Sequence, residues 1–355
     1  MFGRKSMQKP AHNAMRLVPG TGRRVSGSHA GRRRMLCAPL LLLFAGLAQL
    51  STAADRKAAI AASPSGASIA SPIIGYFWSE TDGLAPIEGV PGAAHVGRPR
   101  KLSFVPTRVA LPPGQAYIWL ESLDGAQGAA DGFLAGSDLI SFSQNGNAAA
   151  LYFRAGARIL IVTGLPDSQV VSAAFAAPQL DCGTSAIAIA DDATTVLLAC
   201  SGNLYSAAAD RVWQPVMPGE VAAVSFLPGA TDAVVVMKGD PAVYGLSPDA
   251  QNAGVRAQLP IGMSDPVSLA VSSDGRLAVA IDGDGNAAQI DFAASQTTLL
   301  RVAQGMRTVL RGRDPSTFLL IPDGAGVPWI VEARQGNPSA SFAPRIPRAP
   351  EVSQQ

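Results

Sequence analysis

Asp282, Asp284 and Asn286 alternate in the segment IDGDGNAAQID. Oxygen side chains at this spacing occupy the first three ligand positions of a calcium loop, where they wrap a hard cation. The pattern then breaks, because the sixth position is Ala287 rather than Gly and the twelfth is Ala293 rather than Glu. Without the turning glycine and the bidentate carboxylate the segment reads as a hairpin turn, with calcium as the alternative. No other cofactor is expected.

Histidine narrows the remaining chemistry. His12 and His29 fall in a basic leader, which leaves His95 as the single histidine of the mature chain. One imidazole cannot build a multi-histidine metal site, and no GxSxG elbow supplies a serine for it to activate. Its neighbours Gly92, Ala93, Ala94 and Gly97 place it in a loop. The carboxylates Glu121, Asp124, Asp131 and Asp138 surround loops as well and take no role. No catalytic residue is assigned.

Cys182 and Cys200 stand nine residues either side of Asp191 in DCGTSAIAIADDATTVLLAC. A hairpin turning at Asp191 brings them opposite or nearly opposite, and cysteines whose Cα atoms approach within about 6 Å are bridged in an oxidising compartment. A disulfide is the expectation, and two buried reduced thiols are the alternative. Tyr117 and Trp119 share one strand face by alternation. With Tyr152, Tyr205, Trp213, Tyr244 and Trp329 they read as packing residues, against the alternative of an aromatic ring at one mouth of a channel.

The elements that carry these residues follow from an internal repeat. Its clearest copy is LAVSSDGRLAVAIDGDGNAAQIDF, in which apolar runs are separated by Asp274-Gly275 and Asp284-Gly285. Asp-Gly between apolar runs signals a hairpin, because Gly accepts the positive φ of a tight turn. The same plan recurs at VALPPGQAYIWL, LISFSQNGNAAALYF, AIAIADDATTVLLA, AVSFLPGATDAVVVM and TVLRGRDPSTFLLI. The turns centre near 113, 145, 192, 228, 274 and 314, a mean spacing of about 40 residues, the length of one four-stranded propeller blade.

A further hairpin lies upstream, with GYFWSE and LAPIEGV flanking Thr81-Asp82-Gly83. It forms a degraded seventh blade or lends strands that close the last one. The expectation is an all-β protein, a β-propeller of four-stranded antiparallel blades, with seven blades favoured over six. Its body spans 71–343. No segment of the mature chain keeps a helical apolar period for three turns.

Residues 1–54 hold nine Lys and Arg and no acid ahead of the apolar run MLCAPLLLLFAGLAQL and the small residues Ser51, Thr52, Ala53 and Ala54. This is the plan of a signal segment cleaved near Ala53 or Ala54, too short for a spanning anchor. The Sec route is favoured, and Arg32-Arg33-Arg34 also resembles a twin-arginine signal. Residues 55–70 read as a flexible linker and 344–355 as a Pro-containing disordered tail. Removing the leader leaves 19 bases against 26 acids, a net charge of −7. An acidic chain without a basic cluster excludes nucleic acid and anionic membrane as partners. The mature protein is expected in the periplasm or outside the cell, with no membrane anchor.

The SxDGxxxxVA-type hairpin, repeated about every 40 residues over roughly residues 100–335, resembles the YVTN, NHL and WD-type propeller superfamily. The segment APIEGVPGAA, residues 85–94, resembles part of uncharacterised exported bacterial propeller-like proteins. These resemblances imply a fold and carry no site residues. The functional expectation is a non-catalytic binding or scaffolding module in the cell envelope, its protein or small-molecule ligand unassigned. A lactonase- or hydrolase-like propeller enzyme and a polysaccharide-binding module are the alternatives.

Overall fold

The turn of the clearest repeat shows why these residues fold as they do. Ser272 Oγ donates to Asp274 Oδ1 at 2.6 Å and accepts from the Leu277 amide at 3.0 Å, while the Arg276 amide donates to the same Asp274 oxygen. Side chains thus reinforce the backbone in closing the loop, where the Gly275 amide donates to the Ser272 carbonyl at 3.0 Å, and Gly275 supplies a φ of 71°. The flanking residues alternate Leu, Ala and Val, and on Leu277–Asp282 every side chain is buried. Such a strand is covered on both faces by neighbouring sheets. The same hydroxyl-to-Asx closure recurs where Ser143 Oγ bonds Asn145 Oδ1 and accepts the Ala148 amide.

The computed structural model describes residues 71–345 apart from 81–82, 103, 105, 123–135, 180–181, 209, 248–251, 264 and 325. The leader, the linker, the cleavage position and the tail beyond Arg345 lie outside the described residues, as do Asp124 and Asp131.

Seven antiparallel sheets follow one another along the chain. Sheet 1 holds β1 (Ile73–Ser79), β2 (Gly83–Glu88) and β3 (His95–Val96), and sheet 2 holds β4 (Pro106–Ala110) and β5 (Trp119–Ser122). The other five are four-stranded meanders. Sheet 3 is β6 (Leu139–Phe142), β7 (Ala148–Phe153), β8 (Arg158–Thr163) and β9 (Val170–Ala176). Sheet 4 is β10 (Thr184–Ile189), β11 (Val196–Cys200), β12 (Asn203–Ala207) and β13 (Trp213–Pro218). Sheet 5 is β14 (Val221–Phe226), β15 (Ala233–Met237), β16 (Ala242–Ser247) and β17 (Asn252–Gln258). Sheet 6 is β18 (Pro266–Val271), β19 (Leu277–Asp282), β20 (Asn286–Asp291) and β21 (Gln296–Arg301). Sheet 7 is β22 (Met306–Arg311), β23 (Thr317–Pro322), β24 (Trp329–Glu332) and β25 (Ser339–Phe342).

The first strands of sheets 3 to 7 lie side by side in sequence order, β6 against β10, then β14, β18 and β22. Between successive sheets sit separate apolar clusters, such as Val236, Val243, Val271, Ala280 and Ile290 between sheets 5 and 6. This is a seven-bladed β-propeller, with one short blade of three strands and one of two among the described residues. The only helical element among those residues is a single 3-10 turn, Pro113–Gln115, between β4 and β5.

The upstream hairpin forms its own sheet, and that sheet reaches across to the chain's other end. The Val96 amide donates to the Pro344 carbonyl at 2.9 Å, and Val96 pairs with Arg345 in a parallel bridge. Pro344 and Arg345, the first residues of the expected tail, therefore lie against β3. Sheet 1 packs on sheet 7 through Phe77, Ile87, Leu319 and Ile330.

Candidate functional site: the central channel

The first strands of sheets 3 to 7, with Leu111 and Pro113, line a cavity of ≈ 410 Å³. Its wall mixes polar and apolar groups: Ile140, Ile187, Val224, Leu269 and Val309, whose side chains pack into the clusters between blades, stand among alanines and the hydroxyls of Ser141, Ser185, Ser225, Ser268 and Thr308. The two ends differ. Ser185, Arg307 and Thr308, near the starts of these strands, are exposed, whereas Phe142, Ile189, Phe226, Val271 and Arg311 close the strands at the other end.

Several wall hydroxyls tie neighbouring blades together. Ser185 Oγ donates to the Val221 carbonyl at 2.9 Å, and the Val309 amide donates to Ser268 Oγ at 3.1 Å. An inner strand has a free backbone edge, and a serine on the adjacent strand satisfies one of its groups. At the closed end Gln144 Nε2 donates to Ser225 Oγ at 2.9 Å. Arg311 in turn donates through Nη1 to Gln144 Oε1 at 3.2 Å and through Nη2 to the Gln144 carbonyl at 2.7 Å. One chain of bonds thus joins sheets 7, 3 and 5 across the channel.

Arg311 is 7% exposed. Burial lowers the pKa of its guanidinium, and the charge of Asp191 opposes that shift. Asp191 is itself occupied, accepting the Asn145 amide at 2.8 Å and the Gly229 amide at 2.6 Å, so it staples the turns of sheets 3, 4 and 5. The channel's two arginines both stand on β22. Arg307 at the open end lies 3.8 Å from Asp323 in a solvent-exposed pair.

The residues singled out by sequence do not meet at this site. Asp282 is buried; its Oδ1 accepts the amides of Asp284 and Asn286 at 3.0 and 2.9 Å, and its Oδ2 accepts Asn286 Nδ2 at 2.7 Å. Asn286 Nδ2 also donates to the Gly262 carbonyl, and Asn286 Oδ1 accepts from Arg301. These are the bonds of a turn between β19 and β20. Among the described residues no three His, Cys, Asp or Glu side chains converge on a common point.

Cys182 and Cys200 are joined in sheet 4, with Sγ atoms 2.04 Å and Cα atoms 5.1 Å apart, and both are buried. His95 Nε2 is 3.6 Å from Glu88 Oε2, its register partner on β2, so it stands in a strand pair rather than a loop. Asp138 Oδ2 accepts the Arg154 amide at 2.6 Å inside sheet 3.

The aromatics are spread around the ring. Trp119 and Tyr117 pack on Phe142, and Trp213 packs on Phe175 and donates to the Ala176 carbonyl at 2.8 Å. Trp329 meets Phe342, Tyr152 is wholly buried, and Tyr244 donates to Asp240 at 2.6 Å. The Tyr205 hydroxyl receives Gln179 Nε2 at 3.1 Å. Tyr117 donates to the Gly146 carbonyl, and burial raises its phenol above the ordinary range. Tyr117, Trp119 and Trp213 join neighbouring blades, Trp329 and Tyr244 make contacts within their own, and the rings do not gather at one mouth.

Arg311, Gln144 and Gln115 escaped the sequence reading. One signal pointed to Arg311: at the position that ends the first strand, the other repeats carry Phe142, Ile189, Phe226 and Val271. A cation in an apolar column is the anomaly to look for in a repeat.

The architecture defines the class, a seven-bladed β-propeller built around a channel of mixed aliphatic and hydroxyl lining. No family model matches the chain, and no curated protein matches it. Among solved structures it is similar to hydrazine synthase of Kuenenia stuttgartiensis, at 17% identity and TM-score 0.46, over 62% of this chain and 69% of that one. It is also similar to the Cps50 (Swd1) β-propeller domain of Myceliophteria thermophila, at 12% identity and TM-score 0.45, over 56% of this chain and 66% of that one.

Proposed function

We propose that this chain is an exported, non-catalytic β-propeller that acts as a binding or scaffolding module in the cell envelope. The observation that carries the reading is the use of the channel's polar groups. Ser185, Ser268, Ser225 and Gln144 are spent on blade-to-blade bonds and Arg311 gives two of its five N–H donors to Gln144, so the ring is a rigid frame. Rigid frames present loops to partners at little entropic cost. The basic leader supports export, and the net charge of −7 after its removal supports a partner other than nucleic acid or anionic lipid. The reading calls for no resident cofactor and no membrane anchor. The Ser143–Gly146 and Ser272–Gly275 turns support a place among YVTN, NHL and WD-type propellers.

Two measurements test this. Fractionation of cells expressing the full chain, with intact mass of the recovered protein, should find it outside the cytoplasm and cleaved near Ala54; an uncleaved cytoplasmic protein would remove the envelope reading. Purified protein should show no turnover of lactones or esters with or without divalent metals. Metal-dependent turnover would replace the module with a hydrolase.

A further inference from the structure

We propose that the central channel is a binding site for a small organic anion with an apolar body, its carboxylate seated against Arg311 and its body along the aliphatic residues that the wall exposes. The inference rests on the reading of the chain as a binding module and names the ligand class.

Arg311 carries the argument. A guanidinium is charged at every physiological pH and offers five N–H donors. Here two of its nitrogens donate to Gln144, which is neutral, and among the described residues it belongs to no ion pair. The acid nearest in effect, Asp191, has both oxygens bonded to backbone amides. The hydrogen bonds of Arg311 go only to carbonyls and Asp191 acts on it through space with no ion pair, so an anion brought beside it recovers what remains of its desolvation cost. Arg311 also borders the cavity, so an anion can reach it through the channel without unfolding a blade.

The cavity supplies the rest of the selection. Its ≈ 410 Å³ falls in the range of small-molecule sites. The part-exposed Ile140, Val224 and Val267 would lie against an alkyl or aryl body, and the Ser141 and Thr308 hydroxyls, which carry no hydrogen bond among the described residues, lie on the same wall. Arg307 stands four residues before Arg311 on β22, roughly 13 Å away at strand rise, at the exposed end. Its exposed pair with Asp323 offsets part of its charge, and what remains at the entrance draws anions inward. A cation meets two arginines in the channel and no lining carboxylate among the described residues.

The test uses the full mature protein and three probes of equal length: octanoate, octanol and octylammonium, measured by calorimetry and thermal unfolding. Octanoate should bind at least tenfold tighter than octanol, and octylammonium should not bind. Arg311→Gln should abolish the preference for octanoate over octanol. Because that variant also loses a blade-to-blade bond and can fail to fold, Ala270→Phe provides the second arm. Ala270 borders the cavity and offers no polar group, so Phe should block octanoate without changing charge. Because Ala270 also packs against the cluster between sheets 6 and 7, an unfolding midpoint of the ligand-free variant equal to the parent's shows that the ring is intact. Equal binding of octanoate and octanol, or unchanged octanoate binding in Ala270→Phe, overturns the anion site and leaves the module reading standing. Release of nitrophenolate from p-nitrophenyl octanoate overturns the non-catalytic reading and leaves the anion site standing.

Discussion

Sheets 6 and 1 are both antiparallel hairpin assemblies, yet they are held in opposite ways. Sheet 6 closes its first turn with its own Ser272 and Asp274, and its second with its own Asp282 and Asn286. Sheet 1 borrows its fasteners: the Tyr76 amide donates to Gln115 Oε1 in the 3-10 turn, Gly75 lies against Leu319 of β23, and Val96 pairs with Arg345. A regular blade is thus specified by contacts a few residues apart, whereas the closing blade depends on contacts with distant parts of the chain. Long-range fasteners fail cooperatively with the ring, and local ones fail blade by blade.

Four changes probe that difference, in order of expected size. Replacing both Cys182 and Cys200 with Ala should cost about 3 kcal/mol, the figure for closing a loop of this length, within a blade that is otherwise locally fastened. Denaturant unfolding should show this as a lower midpoint, and thiol titration of the denatured, unreduced parent should find no free thiol; two free thiols would remove the bridge. Gly75→Ala places a Cβ 2.5 Å from Leu319 Cδ1 and 2.8 Å from Gln115 Oε1. Overpacking of that kind should cost about 2 kcal/mol, and hydrogen exchange should rise first in β1 and β23. Exchange rising evenly over all blades would break the contrast between borrowed and local fasteners.

Ser272→Ala removes a bond to Asp274 and leaves the Leu277 amide without its acceptor, an expected loss of about 1 kcal/mol confined to sheet 6. The smallest effect is a pH dependence. Burial works to raise the pKa of Asp274, but the bonds from Ser272 and the Arg276 amide, with the Arg276 charge, outweigh it and hold the carboxyl below its ordinary value. A lowered folded-state pKa gives stability that is present above the unfolded value of about 4 and is lost as pH falls through the folded one. Unfolding midpoints at pH 6 and pH 3 should therefore converge slightly in Asp274→Asn relative to the parent. An unchanged difference would mean that the Asp274 charge does not support the turn.

The blades were legible in sequence because their code is local. The positions of Asp274, Gly275, Asp284 and Gly285 mark the turns that separate β18, β19 and β20, and the alternating apolar runs fill the strands. The spacing of Cys182 and Cys200 about Asp191 was legible in the same way. Sheet 1 was harder: Thr81-Asp82-Gly83 marks a hairpin, yet nothing near it says that β3 will meet Arg345. His95 was read as a loop residue because glycines and alanines surround it, and the pairing with Glu88 comes from β2, seven residues earlier.

The channel was the least legible part. Gln144 occupies an ordinary turn position between Ser143 and Asn145, and its bonds run 81 residues to Ser225 and 167 to Arg311. By itself the sequence determined the all-β repeat, its period of about 40 residues and the turn chemistry of each blade, because hairpins depend on residues only a few positions apart. Which groups face one another across the ring was decided by tertiary structure alone. Closure of the ring brings the ends of the first strands of sheets 3 to 7 to one place, and that convergence leaves Arg311 beside Gln144 at the end of the cavity.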